Sequence, residues 1–396
     1  MKLLFIFPRL GQKGVDTGST VVFKKFIDQL PNEEIVLLSV SDYRQRKTDW
    51  TSKYRYYSFY FFLFHPLVIK VFKKTFFRSF FFIFERTIYP YFVNKKITKI
   101  IRIEKIDKLW VYASPDTIPV LKRVFKKKRI PYHLSIHDDM LENDYFKNKC
   151  SKYIKKDLLF LLKNYSSCDL ISHYMKEYYI QKYNLCHDAF NIWSGFTQTN
   201  NIGQVQINKK IKKIAYIGSM GRQEEPEAFW QAIDIINKGK SEQDKIEIHY
   251  YVNVLNKKRL NKKYTNIIYK GLIPNKEVQS ILANYDLLYL TMSFAPDWAI
   301  VSKVSFPSKT MAYLESGVPI ITHGPDYSTI IKFAKKYKIG LPVCTLDSNK
   351  FANSVLEYEK NIQLRKKHSE NIKNLVNSEL SFNKKFPTLK QLIYSK

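Results

Sequence analysis

Short apolar runs separated by stretches of helical spacing recur along most of the chain, as expected of parallel sheets covered on both faces by crossover helices. In the first half these runs predict strands over Lys2–Phe7, Ile35–Ser39, Lys108–Ala113, Tyr132–Ile136 and Leu170–Ser172. A second series predicts strands over Ile214–Ile217, Ile246–Val252, Ile267–Tyr269, Leu287–Leu290 and Pro319–Thr322. Between the two series Thr197–Lys212 is polar and lacks apolar periodicity, so it reads as a linker. The pattern predicts an α/β protein of two open-sheet domains, 1–200 and 211–377. They would face a central cleft lined by the carboxyl ends of their strands, where such sheets bind ligands. Residues 378–396 have a helical look and can cross back to brace the first domain.

The stretch Lys53–Lys99 breaks this pattern and reads as an aromatic-basic insertion, with Phe and Tyr interleaved with Lys and Arg and with Glu85 as its acidic residue. Its longest uncharged run, Tyr56–Ile69, has about 14 residues, too few to span a bilayer. In Val71–Phe84, Phe72, Phe76, Phe80 and Phe84 recur at four-residue spacing beside Lys73, Lys74 and Arg78, as in an interfacial helix. A core-facing helix with a solvated basic face is the alternative.

Composition adds charge to this picture. The 396 residues carry a formal net charge of +31 and are 45% hydrophobic, enough for large cores and for attraction to anionic lipid, phosphate-bearing substrates or other polyanions. No recognised nucleic-acid module accompanies the aromatic residues, so a nucleic-acid partner is not expected. Cys150, Cys168, Cys186 and Cys344 lack metal-ligand spacing and read as reduced packing residues, with no metal expected. The N-terminal apolar run is too short for a signal peptide and reads as a first strand, which places the protein in the cytoplasm.

Candidate chemistry lies where strands end. The first strand runs into a loop containing Gly14, Thr17 and Gly18 ahead of a helix over Val21–Leu30, which allows close backbone approach to a ligand or simply forms a surface loop. His137-Asp138-Asp139 follows the strand Tyr132–Ile136, where a histidine can donate a hydrogen bond to a sugar hydroxyl or a leaving phosphate and a carboxylate can accept a proton. In the second half Ile214–Ile217 leads into Gly218-Ser219-Met220-Gly221-Arg222, where glycines free backbone amides and Arg222 can neutralise a diphosphate. The most specific stretch is Ser305–Ile321: Pro307 suits a helix start, Ser305 or Ser308 can cap it, and Gly317-Val318-Pro319 ends it before a strand. A diphosphate would meet that helix N-terminus at Ser308, Lys309 and Thr310.

The run Phe306-Pro307-Ser308-Lys309, followed by Tyr313-Leu314, Gly317 and Pro319, resembles the GT-B glycosyltransferases, in particular the family 4 branch and its relatives from bacterial polysaccharide assembly. The likeness extends over most of Lys213–Phe382, including Lys270–Pro274, Asn284-Tyr285-Asp286 and Tyr337–Gly340, and is looser in the first domain. It implies two Rossmann-like domains, with a nucleoside-diphosphate sugar held mainly by the second and a saccharide or lipid-linked acceptor held mainly by the first. It implies roles for Leu272, Ile273, Tyr313 and Glu315 at the nucleotide, for His137 and Asp138 at the reacting groups, and for the Gly14, Thr17 and Gly18 loop on the acceptor side. It further implies retention of anomeric configuration, catalysis without a cofactor, and a place in capsule, O-antigen or exopolysaccharide assembly on the inner face of the cell membrane. Many members carry two glutamates eight residues apart. Here those positions are Val304 and Ala312, which questions donor identity more than fold. The rival readings are an inactive polyanion- or membrane-binding protein of the same fold, and a nucleotide-sugar 2-epimerase.

Overall fold

The computed structural model describes residues 1–8, 18–40, 49–59, 84–141, 151–184, 190–192, 205–218, 220, 226–253, 264–274 and 277–395. The chain divides into two compact units, Met1–Ser194 joined by Phe386–Lys396, and Gly195–Lys385.

The first unit is built on a seven-stranded sheet in the order β3-β2-β1-β4-β5-β6-β7. The strands are β1 (Leu3–Phe7), β2 (Ile35–Ser39), β3 (Arg55–Ser58), β4 (Lys108–Tyr112), β5 (Tyr132–Ile136), β6 (Ser167–Leu170) and β7 (Phe190–Ile192). Every pairing is parallel. Strands β1, β2, β4 and β5 are buried along their whole length; β1 and β2 read as apolar runs for that reason, while β4 and β5 also bury Lys108, His133 and Ser135. The core gathers on Trp110, whose ring lies 4.6 Å from Phe5 and 5.1 Å from Phe26. The helix Phe382–Tyr394 packs here too: Phe386 meets Phe26 at 5.0 Å, Tyr394 donates to Glu34 at 2.7 Å, and Lys108 Nζ donates to the Ser395 carbonyl at 2.6 Å.

The second unit carries a six-stranded sheet in the order β10-β9-β8-β11-β12-β13. Its strands are β8 (Lys213–Ile217), β9 (Glu247–Tyr251), β10 (Ile267–Tyr269), β11 (Leu287–Thr291), β12 (Ile320–His323) and β13 (Gly340–Val343). All pairings are again parallel. Taken from its own first strand, this is the 3-2-1-4-5-6 order of a Rossmann sheet, whose order reverses between β8 and β11. A core centred on Phe229, Tyr289 and Phe351 fills one side, with Phe229 stacked on Tyr289.

Several sequence expectations change. Strand β6 is Ser167–Leu170 rather than Leu170–Ser172, and the first helix spans Gly18–Ile27 rather than Val21–Leu30. The flanks of the aromatic-basic stretch belong to the Rossmann sheet and its crossover: Arg55–Ser58 is β3, and Tyr89–Glu104 is the helix that leads into β4. Buried Glu104 holds the two together by accepting from Arg55, Tyr57 and Lys2. Phe84 is buried, while Phe72, Phe76 and Phe80 lie outside the described residues. The second half of the expected linker is tied to the second unit. Arg365, fully buried, donates to the carbonyls of Asn208 and Lys209, and Asp286 accepts from Asn208 and from the amides of Lys212 and Lys213.

Candidate functional site

In the second unit the switch point of the sheet is where a ligand of such a fold is expected, and β8 ends there in Gly218. Gly218 has φ of +94°, a conformation that favours glycine. A Cβ placed on it would lie 3.9 Å from Lys309 Cε, so the lysine stem runs past this turn at ordinary contact distance. Lys309 opens the helix Lys309–Ser316, donates a hydrogen bond to the Tyr216 hydroxyl and stands 4.1 Å from the centre of that ring. The cation is therefore held by the strand that ends at the switch point.

Tyr313, one turn further on, fixes the helix. It is fully buried; its hydroxyl accepts from the Ile217 amide at 3.0 Å and donates to the Tyr289 carbonyl at 3.1 Å. That locks the helix to the end of β8 and to the middle of β11 together. Tyr313, suggested for the nucleotide, positions the helix through these hydrogen bonds to the backbone of two strands. The Gly218 amide donates to the Tyr251 carbonyl at 3.0 Å, and its positive φ makes the turn. Neither Ser305 nor Ser308 caps the helix through its side chain; Ser308 is exposed at the N-cap position. Thr310 is buried, and among the described residues its Oγ1 meets no hydrogen-bond partner. Gly317 ends the helix with φ of +75°, as its C-terminal position requires.

Glu315 lies about 9 Å along the helix from Lys309 and on another face. It is buried and accepts from Gln279 at 2.9 Å. Leu272 and Ile273 follow β10 on a loop, the first exposed and the second half-buried. Val304, at one of the absent glutamate positions, is buried. Ser219 and Arg222 lie outside the described residues.

In the first unit His137 and Asp138 follow β5. Asp138 is exposed and accepts from the Tyr112 hydroxyl at 3.0 Å. His137 is buried, with its ring flat on Phe23 and its Nε2 3.2 Å from Asp169 Oδ2. Asp139 is a packing residue whose Oδ1 accepts from Tyr179 at 2.8 Å. Gly18 begins the helix Gly18–Ile27, and Gly14 and Thr17 lie outside the described residues. Asp169, missed by sequence reasoning, is fully buried and is the hub of this region. The signal that pointed to it was a carboxylate inside a strand, but the expected strand began one residue later, at Leu170.

No protein-family model matches the chain, and neither does any curated protein. Solved structures do match. Anabaena HepE, in complex with UDP and glucose, is similar with a TM-score of 0.69 at 10% identity over 100% of both chains. Sucrose-phosphate synthase from Thermosynechococcus elongatus gives 0.69 at 10% identity, covering 99% of this chain and 98% of that one. The lipopolysaccharide outer core galactosyltransferase WaaB gives 0.63 at 13% identity, covering 100% and 99%. The chain therefore has the GT-B fold, two Rossmann-like domains in succession.

Proposed function

We propose that this protein is a glycosyltransferase that moves a sugar from a nucleoside-diphosphate sugar to a saccharide or lipid-linked saccharide acceptor in surface-polysaccharide assembly, with retention of configuration. The observation that carries the reading is the placement of Lys309 at a helix N-terminus, against Gly218 and Tyr216 at the switch point of the second sheet. A diphosphate there meets an ammonium and helix-end amides, and both stabilise the negative charge that develops on a departing nucleoside diphosphate. Arg222 joins Lys309 in this role, Ser308 offers its hydroxyl, and Leu272, Ile273 and Glu315 border the nucleotide. Two cations serve where other enzymes place a metal. His137 and Asp138, with the Gly14, Thr17 and Gly18 loop, serve the acceptor side. The UDP bound by HepE and the galactosyltransferase activity of WaaB support a nucleotide-sugar donor.

Attachment to the inner face of the cell membrane is part of the same reading. No described helix is long and apolar enough to cross a membrane. The helix Tyr89–Glu104 exposes Phe92 and Ile103 on the same side as Lys95, Lys99 and Arg102, an arrangement that suits anionic lipid headgroups.

Incubation with a panel of nucleotide sugars and saccharide acceptors tests the reading. Acceptor-dependent release of nucleoside diphosphate is expected for one donor. Binding of donors without release under any pairing would point to an inactive binding protein.

A further inference from the structure

Inside the first unit a carboxylate is surrounded by donors whose directions can be worked out one by one. Asp169, in β6, has no exposed surface. Its Oδ1 receives His133 Nε2 at 2.7 Å and the Ser135 hydroxyl, and its Oδ2 lies 3.2 Å from His137 Nε2. The Trp110 indole, which only donates, is 2.9 Å from Ser135 Oγ, so the Ser135 proton is left for Asp169. On the other side the Lys108 ammonium lies 3.2 Å from Ser167 Oγ, which lies 2.8 Å from His133 Nδ1. The ammonium donates to Ser167, Ser167 donates to Nδ1, and the one proton of a neutral His133 ring stays on Nε2, facing Asp169. Burial pushes the His133 imidazole down, in keeping with a neutral ring. Burial alone would raise the Asp169 carboxyl, but hydrogen bonds from His133 and His137 outweigh it and hold the group ionised. An ionised carboxylate only accepts, so His137 Nε2 must donate.

We propose that Asp169 is a positioning residue for His137: from the neighbouring strand it fixes the ring and keeps a proton on Nε2, which leaves Nδ1 as the acceptor when the ring carries one proton. The ring has little freedom to choose otherwise. It lies 4.7 Å from Phe23 with the planes 5° apart, and Tyr112 meets it edge-on at 5.7 Å. The consequence for catalysis rests on the glycosyl-transfer reading: Nδ1 is a buried atom, and a sugar hydroxyl that reaches it has to donate the hydrogen bond. The sequence alone had suggested His137 as the donor.

Nitrogen-correlated NMR of the histidine rings in the full-length protein near neutral pH tests this, with His137→Gln used to assign the signal. The wild-type ring is expected as the Nε2-protonated tautomer. A proton on Nδ1, or an imidazolium, would overturn the proposal, and this measurement needs no Asp169 variant to fold. In Asp169→Asn the amide can keep its oxygen toward His133 and Ser135 and turn its NH₂ toward His137, so the ring proton is expected to move to Nδ1. The transfer rate should then fall about 100-fold or more with little change in KM, as when a catalytic histidine is held in the wrong tautomer. A folded Asp169→Asn protein whose His137 tautomer is unchanged would sink the assignment. If the wild-type tautomer is as stated and His137→Gln transfers sugar at the wild-type rate, Asp169 keeps its role toward the ring and the glycosyl-transfer role of His137 is what fails.

Discussion

Lys309 and Tyr216 interact twice, through a hydrogen bond to the phenol oxygen and through an approach of 4.1 Å to the centre of the ring. The ammonium is thereby held at the end of β8 before any ligand arrives, and preorganisation of that kind is what makes a fixed charge effective on a developing one. Lys309→Ala should lower turnover about 100-fold or more while the circular dichroism spectrum stays that of the wild type. Tyr216→Phe keeps the ring and loses one hydrogen bond, so a loss of about tenfold or less is expected. Steady-state kinetics with the active donor separates the two; a wild-type rate in folded Lys309→Ala would remove the phosphate site from this helix.

Tyr313→Phe should act on stability and donor binding together. It deletes the bonds to the Ile217 amide and the Tyr289 carbonyl, leaving both backbone groups buried and short of a partner. A loss of about 1–3 kcal/mol is expected in urea denaturation, with a raised KM for the donor as the helix loosens. Unchanged stability would mean that the hydroxyl does not join the two strands.

Gly340 begins β13 where there is no room for a side chain. A Cβ there would lie 2.0 Å from the Ile320 carbonyl oxygen, a backbone atom that cannot turn aside. Gly340→Ala should destabilise the protein by at least about 2 kcal/mol, read from the denaturation midpoint.

The buried His323 ring predicts an acid sensitivity. Its Nδ1 pairs with the Tyr289 hydroxyl at 2.8 Å and its Nε2 with the Thr345 carbonyl at 2.9 Å, and burial pushes its pKa from 6.5 down to about 4. Below pH 6.5 the unfolded chain takes up a proton that the folded one refuses, so stability is full above that pH and drains away as the pH falls towards 4. The wild type should lose on the order of 3 kcal/mol more than His323→Gln between neutral pH and pH 4. Denaturation curves for the two proteins that run parallel across this window would contradict it.

What could be read from the sequence follows how each residue is used. Leu3–Phe7 and Ile35–Ser39 are buried on both faces and were legible as apolar runs, and the helix that starts at Lys309 announced itself through Pro307 and Gly317. β3 was missed because Arg55 and Tyr57 look like surface residues until Glu104 appears beneath them. β6 was misplaced because Ser167 and Asp169 satisfy their polar atoms on Lys108, His133 and Ser135, partners 34 to 59 residues away that no local pattern reveals. The same long-range pairing hid the hub of the first unit and the true role of Tyr313. Lys309 could be found because its place depends on a local helix start.

The packing of the helix Phe382–Tyr394 on Phe26 and Glu34 bears on the order in which the protein can be finished during synthesis. The first sheet emerges from the ribosome before the second unit, yet the residues that cover Phe26 and meet Lys108 emerge only after the whole second unit. Until then the nascent first unit carries an uncovered aromatic edge, so the second unit has time to fold independently while the first waits for its closing segment.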